Sequence, residues 1–131
     1  MSQLSPDVIR ARVRAVITRH SGRTTGELRP ADRLLADLRI DDDALVFELA
    51  PEAEREAEFL ASYEEWERIA TVGDLEALAV RLHGLERPDV VAARSRRDAE
   101  IRRRVRRVFA AFGLGGVGLF ALWRVAPGAA A

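Results

Sequence analysis

Asp37-Leu38-Arg39-Ile40-Asp41-Asp42-Asp43-Ala44-Leu45-Val46-Phe47-Glu48-Leu49 is the stretch whose reading decides the fold. Three consecutive acids stand where an apolar pattern of helical spacing begins, carried by Leu45, Val46 and Leu49. Acids at the start of a helix have three accounts: a metal site, a helix cap, or the relic of a reactive centre whose nucleophile is gone. The metal account places Asp37, Asp41, Asp43 and Glu48 at positions 1, 5, 7 and 12 of a calcium-binding loop. It then puts a cation, Arg39, at the third position and Asp42 where a glycine must turn, so it fails twice. Capping asks only for one aspartate at the N-cap and another in the first turn, each stabilising by about 0.5–1 kcal/mol.

The pattern is helical on both sides. Ser5, Pro6 and Asp7 form a helix start: a capping hydroxyl, a proline suited to the first turn, and an acid at the positive end of the dipole. Ile9, Val13, Val16 and Ile17 follow on one stripe, and Gly22 closes it. Residues 23–37 make a long connection whose Leu28, Leu34 and Leu35, with Leu38 just beyond, have the look of buried residues. Pro51 interrupts the second helix, removing one donor and crowding the Phe47 carbonyl, so a kink or a fresh start is expected there. Leu49, Ala53, Ala57 and Leu60 nevertheless keep one face. A short third helix is expected over Tyr63–Ile69, with Tyr63 and Trp66 packing over the core. Thr71-Val72-Gly73-Asp74 is a capping box with Asp in place of Glu. It opens a helix burying Leu75, Leu78, Ala79 and Leu82, closed by His83-Gly84. No stretch alternates as a strand does. The fold class expected is all-α.

Taken together these features resemble the acyl carrier protein family over about residues 5–84. Asp37-Leu38-Arg39-Ile40-Asp41-Asp42-Asp43 sits where that family carries Asp-Leu-Gly-x-Asp-Ser-Leu. Ile69-Ala70-Thr71-Val72-Gly73-Asp74 sits where it carries the Ile-Thr-Thr-Val-x-Asp approach to its last helix. The resemblance implies a four-helix bundle and an acidic second helix that docks arginine-rich partner patches. The sequence departs from the family at the decisive position. Asp42 stands where the family's serine bears a phosphopantetheine arm, and a carboxylate cannot accept that phosphodiester. Arg39 likewise replaces the usual glycine. The implied relatives are divergent carrier-like domains without the serine, and no cofactor is expected.

Composition divides the chain. All 21 basic residues are arginine, and cysteine is absent, which excludes disulfides, zinc–thiolate sites and a cysteine nucleophile. Residues 1–85 hold 11 arginines against 17 acids, whereas residues 86–131 hold 10 against 4. Opposite charge in the two halves points to two tasks in two places. The N-terminus lacks the apolar core of a signal peptide, so the folded part is expected in the cytoplasm. His20 and His83 each precede a helix-ending glycine, where an imidazole can face the negative end of the dipole. Neither has a second ligand at a metal spacing, and no phosphate-cradling loop is present, so no enzyme is expected.

The basic half has its own logic. Residues 85–93 read as a linker, part of an arginine-rich segment over 85–107. Arg94, Arg96, Arg97, Arg102, Arg103, Arg104, Arg106 and Arg107 then precede Val108–Trp123, 16 residues without a charge. That run is slightly short of the ~20 residues a hydrocarbon core of about 30 Å demands. Arg124 can snorkel, Val125–Ala131 is almost wholly apolar, and Trp123 sits where an interfacial aromatic belongs. Eight arginines before the run and one after it obey the positive-inside rule, and each attracts anionic lipid by about 1 kcal/mol. A C-terminal tail anchor on residues 108–131, spanning or re-entrant, is therefore expected, with the helical domain on the cytoplasmic face of the cell membrane; the alternative is a run buried against the acidic domain or a second copy. Ala111-x-x-x-Gly115 could support self-association. The arginines lack the interleaved aromatics of a nucleic-acid binder.

The sequence thus leads to a non-catalytic adaptor. It docks a basic protein, such as an acyl-transferring or lipid-metabolism enzyme, through Asp41, Asp42, Asp43, Glu48 and Glu52, and holds anionic lipid through the eight arginines. The alternatives are a genuine carrier in fatty-acid or polyketide-type metabolism and a purely structural small membrane protein.

Overall fold

Ser5, Pro6 and Asp7 start the first helix by the chemistry expected of them. In the computed structural model, which describes residues 3–111, the Ser5 hydroxyl accepts from the Val8 N–H at 3.3 Å and opens α1 (Pro6–Ser21). Ile9, Val13, Val16 and Ile17 are all buried along it. Gly22 ends it at φ 71°, a left-handed conformation that glycine adopts without a Cβ penalty. The remaining helices are α2 (Asp42–Ala44), α3 (Ala50–Glu56), α4 (Tyr63–Glu67), α5 (Val72–Leu82) and α6 (Pro88–Ala111). Among the described residues there is no strand, only one isolated antiparallel bridge, Arg33 with Thr71. The chain is all-α.

Pro51 does not restart the second helix. A π turn, Leu45–Leu49, joins α2 to α3, and residues 42–56 run as one continuous helix. Its Ala50 N–H reaches back to the Leu45 carbonyl. Proline offers no N–H to the Phe47 carbonyl, and the wider turn gives its ring the space an α turn would deny. Leu45, Leu49, Ala53 and Ala57 remain buried on one face. Val46, expected with them, is half-exposed instead.

The long connection is tied to the start of α5. Leu34 N–H donates to the Ala70 carbonyl at 2.9 Å, and Val72 and Gly73 N–H groups donate to the Asp32 and Pro30 carbonyls, each at 2.9 Å. Leu28, Leu34 and Leu38 fill the core, while Leu35 points outward. Gly73 suits this approach, since a Cβ there would oblige Pro30 to give by a few tenths of an ångström. A Cβ there would lie 3.1 Å from the Pro30 carbonyl oxygen, which is itself held by the Gly73 N–H. The expected capping box is formed: Thr71 Oγ1 accepts from Asp74 N–H, and Asp74 accepts from the Thr71 and Ala70 N–H groups, all at 3.1 Å.

The chain divides into two compact units, Met1–Val90 and Val91–Ala131. Residues 85–90 belong with the first. Arg87 donates to the Leu60 carbonyl at 2.9 Å and to Glu65 at 2.6 Å, and Val90 is buried. The linker expected over 85–93 is helix from Pro88 onward, with proline and Asp89 in the first turn, where both are well suited. Within the first unit α1 packs on α5 and on α3.

Candidate functional site

The stretch around Asp41–Asp43 is positioned from behind by buried leucines and isoleucine. Leu38 and Ile40 are in the core, and Ile40 N–H donates to the Leu34 carbonyl at 3.1 Å. Asp37 clamps the same loop by accepting from the Arg33 backbone N–H at 2.8 Å and its side chain at 3.4 Å. These bonds hold the Asp37 carboxyl below its ordinary pKa, the backbone one contributing most. Between the two anchors Arg39 takes φ 55°. That left-handed conformation costs a side-chain-bearing residue about 1–2 kcal/mol, and Arg39 is exposed. Arg39→Gly is therefore expected to stabilise the fold by about 0.5–1 kcal/mol, read as a raised urea midpoint. A lowered midpoint would show that the arginine side chain holds the loop.

Asp41 has the extended backbone of an N-cap, and its carbonyl accepts from Leu45 N–H at 2.8 Å. Its carboxylate makes no cap hydrogen bond, which corrects the capping account. The three aspartates act on the helix only through its dipole. Asp41, Asp42, Asp43, Ala44, Phe47 and Glu48 surround an open hollow of about 500 Å³. Phe47 is 75% exposed at its edge, beside the half-exposed Val46. Among the described residues no serine or threonine lines the hollow. Among the described residues no three histidine or carboxylate side chains could hold a metal ion.

Glu52 stands apart from these acids. Its carboxylate is only 19% exposed, bonded to Arg19 and to His20 Nε2, the latter at 2.9 Å. The His20 bond lowers its pKa most; burial opposes this and Arg19 adds to it. His20 therefore reaches across to the 42–56 helix instead of facing its own helix end. Its Nδ1 also lies 3.8 Å from Glu48. Glu54 is likewise internal, accepting from Ala61 N–H at 3.0 Å and Trp66 Nε1–H at 3.2 Å. Trp66 packs against the core as expected and meets Phe59 at 6.0 Å between ring centres. Of the five docking residues expected, Asp41, Asp42, Asp43 and Glu48 come together, and Glu52 is engaged with α1.

Two further acids prove structural. Glu76 is buried and takes a two-pronged bond from Arg14, both contacts at 3.2 Å. Glu65 closes a capping box with Ser62 and receives Arg87. Burial raises the Glu65 pKa, but bonds from Ser62 and Arg87 outweigh it and the net shift is downward. The Ser62-x-x-Glu65 spacing was a readable signal for this box; nothing local announces the Arg14–Glu76 pair.

The eight arginines lie on α6, and all but the half-buried Arg94 are exposed. Arg104 pairs with Glu100 at 3.0 Å, one turn away. No helix among the described residues is long and apolar enough to cross a membrane. The expected membrane segment from Phe112 onward, with Trp123, Arg124 and the far half of Ala111-x-x-x-Gly115, lies outside the described residues. The chain matches no protein-family model and no curated protein.

Proposed function

We propose that this chain is a non-catalytic, carrier-protein-like adaptor, anchored at the inner face of a membrane by its C-terminal segment. Its acidic hollow receives a basic protein. The observation carrying this reading is that the carboxylates of Asp41, Asp42 and Asp43 make no hydrogen bond or ion pair among the described residues, yet stand together around the exposed Phe47. Acids that join one element of the fold to another are bonded within it, as Glu52, Glu65 and Glu76 are. An apolar anchor ringed by unspent carboxylates suits a surface bearing arginine or lysine around an apolar centre. The carrier-like part of the reading is supported by the helix order, by the capping box at Thr71–Asp74, and by the left-handed backbone at Arg39 where the resembling family has glycine.

Replacing Asp42 and Asp43 together by asparagine is expected to weaken partner capture about tenfold, the scale of two lost rim charges. Helix content should stay nearly unchanged, since neither carboxylate bonds within the fold and the two lost dipole interactions cost about 0.5–1 kcal/mol each. Capture is read by cross-linking and pull-down with the full chain, and undiminished capture would refute the docking face. A genuine carrier is the competing reading. Incubation with a phosphopantetheinyl transferase is expected to leave the mass of the chain unaltered, because Asp42 offers no hydroxyl. A gain equal to the pantetheine arm would establish the carrier instead.

A further inference from the structure

Helix α6 carries an apolar stripe with no partner among the described residues. Ile101, Val105, Val108 and Phe109 are 50%, 47%, 53% and 63% exposed, although they recur at helical spacing. At 3.6 residues per turn these four side chains fall within a sector of about 100°. Arg102 and Arg104 stand at the two margins of that sector. Arg106 and Arg107 lie further round, and Arg103 lies on the opposite side. Long cationic side chains flanking an apolar stripe are the pattern of a helix that lies in the plane of a bilayer surface. The stripe enters the acyl boundary, and the arginines reach the headgroups.

A second copy of α6 is the obvious rival occupant. Its flanks would bring arginine against arginine in either chain direction, because the acids of this helix, Asp89, Asp98 and Glu100, all precede Ile101. Like charges beside an apolar seam set partners apart. Anionic headgroups accept the same charges. The sequence also continues from Ala111 directly into uncharged residues as far as Trp123, so the stripe leads toward the apolar segment.

We infer that residues 101–111 of α6 lie along an anionic lipid surface, with Ile101, Val105, Val108 and Phe109 inserted and the arginines at headgroup depth. This rests on the membrane-anchored reading above but asks more, namely that the helix itself is seated and oriented. The absence of native cysteine allows single labels. Full-length Val105→Cys and Arg103→Cys chains carrying a nitroxide are added to vesicles of phosphatidylcholine, alone or mixed equally with phosphatidylserine.

On the mixed vesicles, accessibility to oxygen relative to a nickel chelate is expected to be at least about fivefold higher at 105 than at 103, since one side of an interfacial helix faces acyl chains. On phosphatidylcholine alone the contrast should shrink. Equal accessibility at the two positions, in chains that float with the vesicles, overturns the seated helix and leaves the anchor standing. Dipolar broadening between copies at 105 overturns it in favour of self-association. Failure to float with either vesicle overturns anchor and inference together.

Discussion

Leu49→Ala is expected to lower the unfolding free energy by about 3–4 kcal/mol, the range for a fully enclosed leucine whose cavity cannot collapse. Leu49 has no exposed surface and ends the π turn that accommodates Pro51. Ala53, Ala57 and Ala61, buried with it in the same core, are too short to refill the space. For a unit of this size the loss corresponds to a fall in melting temperature of roughly 15–25 °C. Urea and thermal unfolding of the full chain both read it. Val46→Ala, at a half-exposed neighbour in the same turn, serves as the control and is expected to cost under about 1 kcal/mol. Equal losses at the two positions would mean that the face assigned to the core is wrong.

His83→Ala is expected to cost about 2–4 kcal/mol, from two backbone groups left without partners and from the volume removed. The ring is buried at the end of α5. Its Nε2 accepts from the Leu4 N–H at 3.0 Å, which leaves Nδ1 as the donor to the Ala57 carbonyl at 2.9 Å. One neutral imidazole thus fastens the start of the chain to the end of the 42–56 helix. Its carboxyl-side neighbour helps, since Gly84 N–H donates to the Glu58 carbonyl at 3.0 Å. His83→Asn can replace the Nδ1 donor but cannot reach Leu4, so an intermediate loss is expected. Hydrogen exchange gives the site-specific reading. The Leu4 amide should lose protection in both variants, and retained protection there would dismiss the clasp whatever the global stability.

Both expectations concern residues whose importance differs in legibility. Leu49 was visible in the sequence because it recurs with Leu45, Ala53 and Ala57 on one helical face. His83 was visible only as a residue before a glycine, and the reading of it as a dipole partner was incomplete: its bonds go to residues 79 and 26 positions away. Glu52 shows the same limit. It belongs to an acidic run that looks uniform in the sequence, yet Arg19 and His20 of α1 claim it, while Asp41, Asp42 and Asp43 are left to solvent. Phe47 was absent from the expected site, although its place off the Leu45–Leu49 stripe was a usable sign that it faces outward.

By itself the sequence determined the all-α class, the starts and stops of α1 and α5, the apolar stripes and the opposition of charge between the two halves. Each of these is set by side chains within a turn or two of one another, so periodicity and capping chemistry carry them. Tertiary structure alone decided which acids are spent inside the fold, how closely Gly73 approaches Pro30, how His83 joins distant segments, and that Phe47 stands open beside three aspartates whose carboxylates are unbonded. Those outcomes depend on which helix faces reach each other across long separations in the chain, and no local pattern records that.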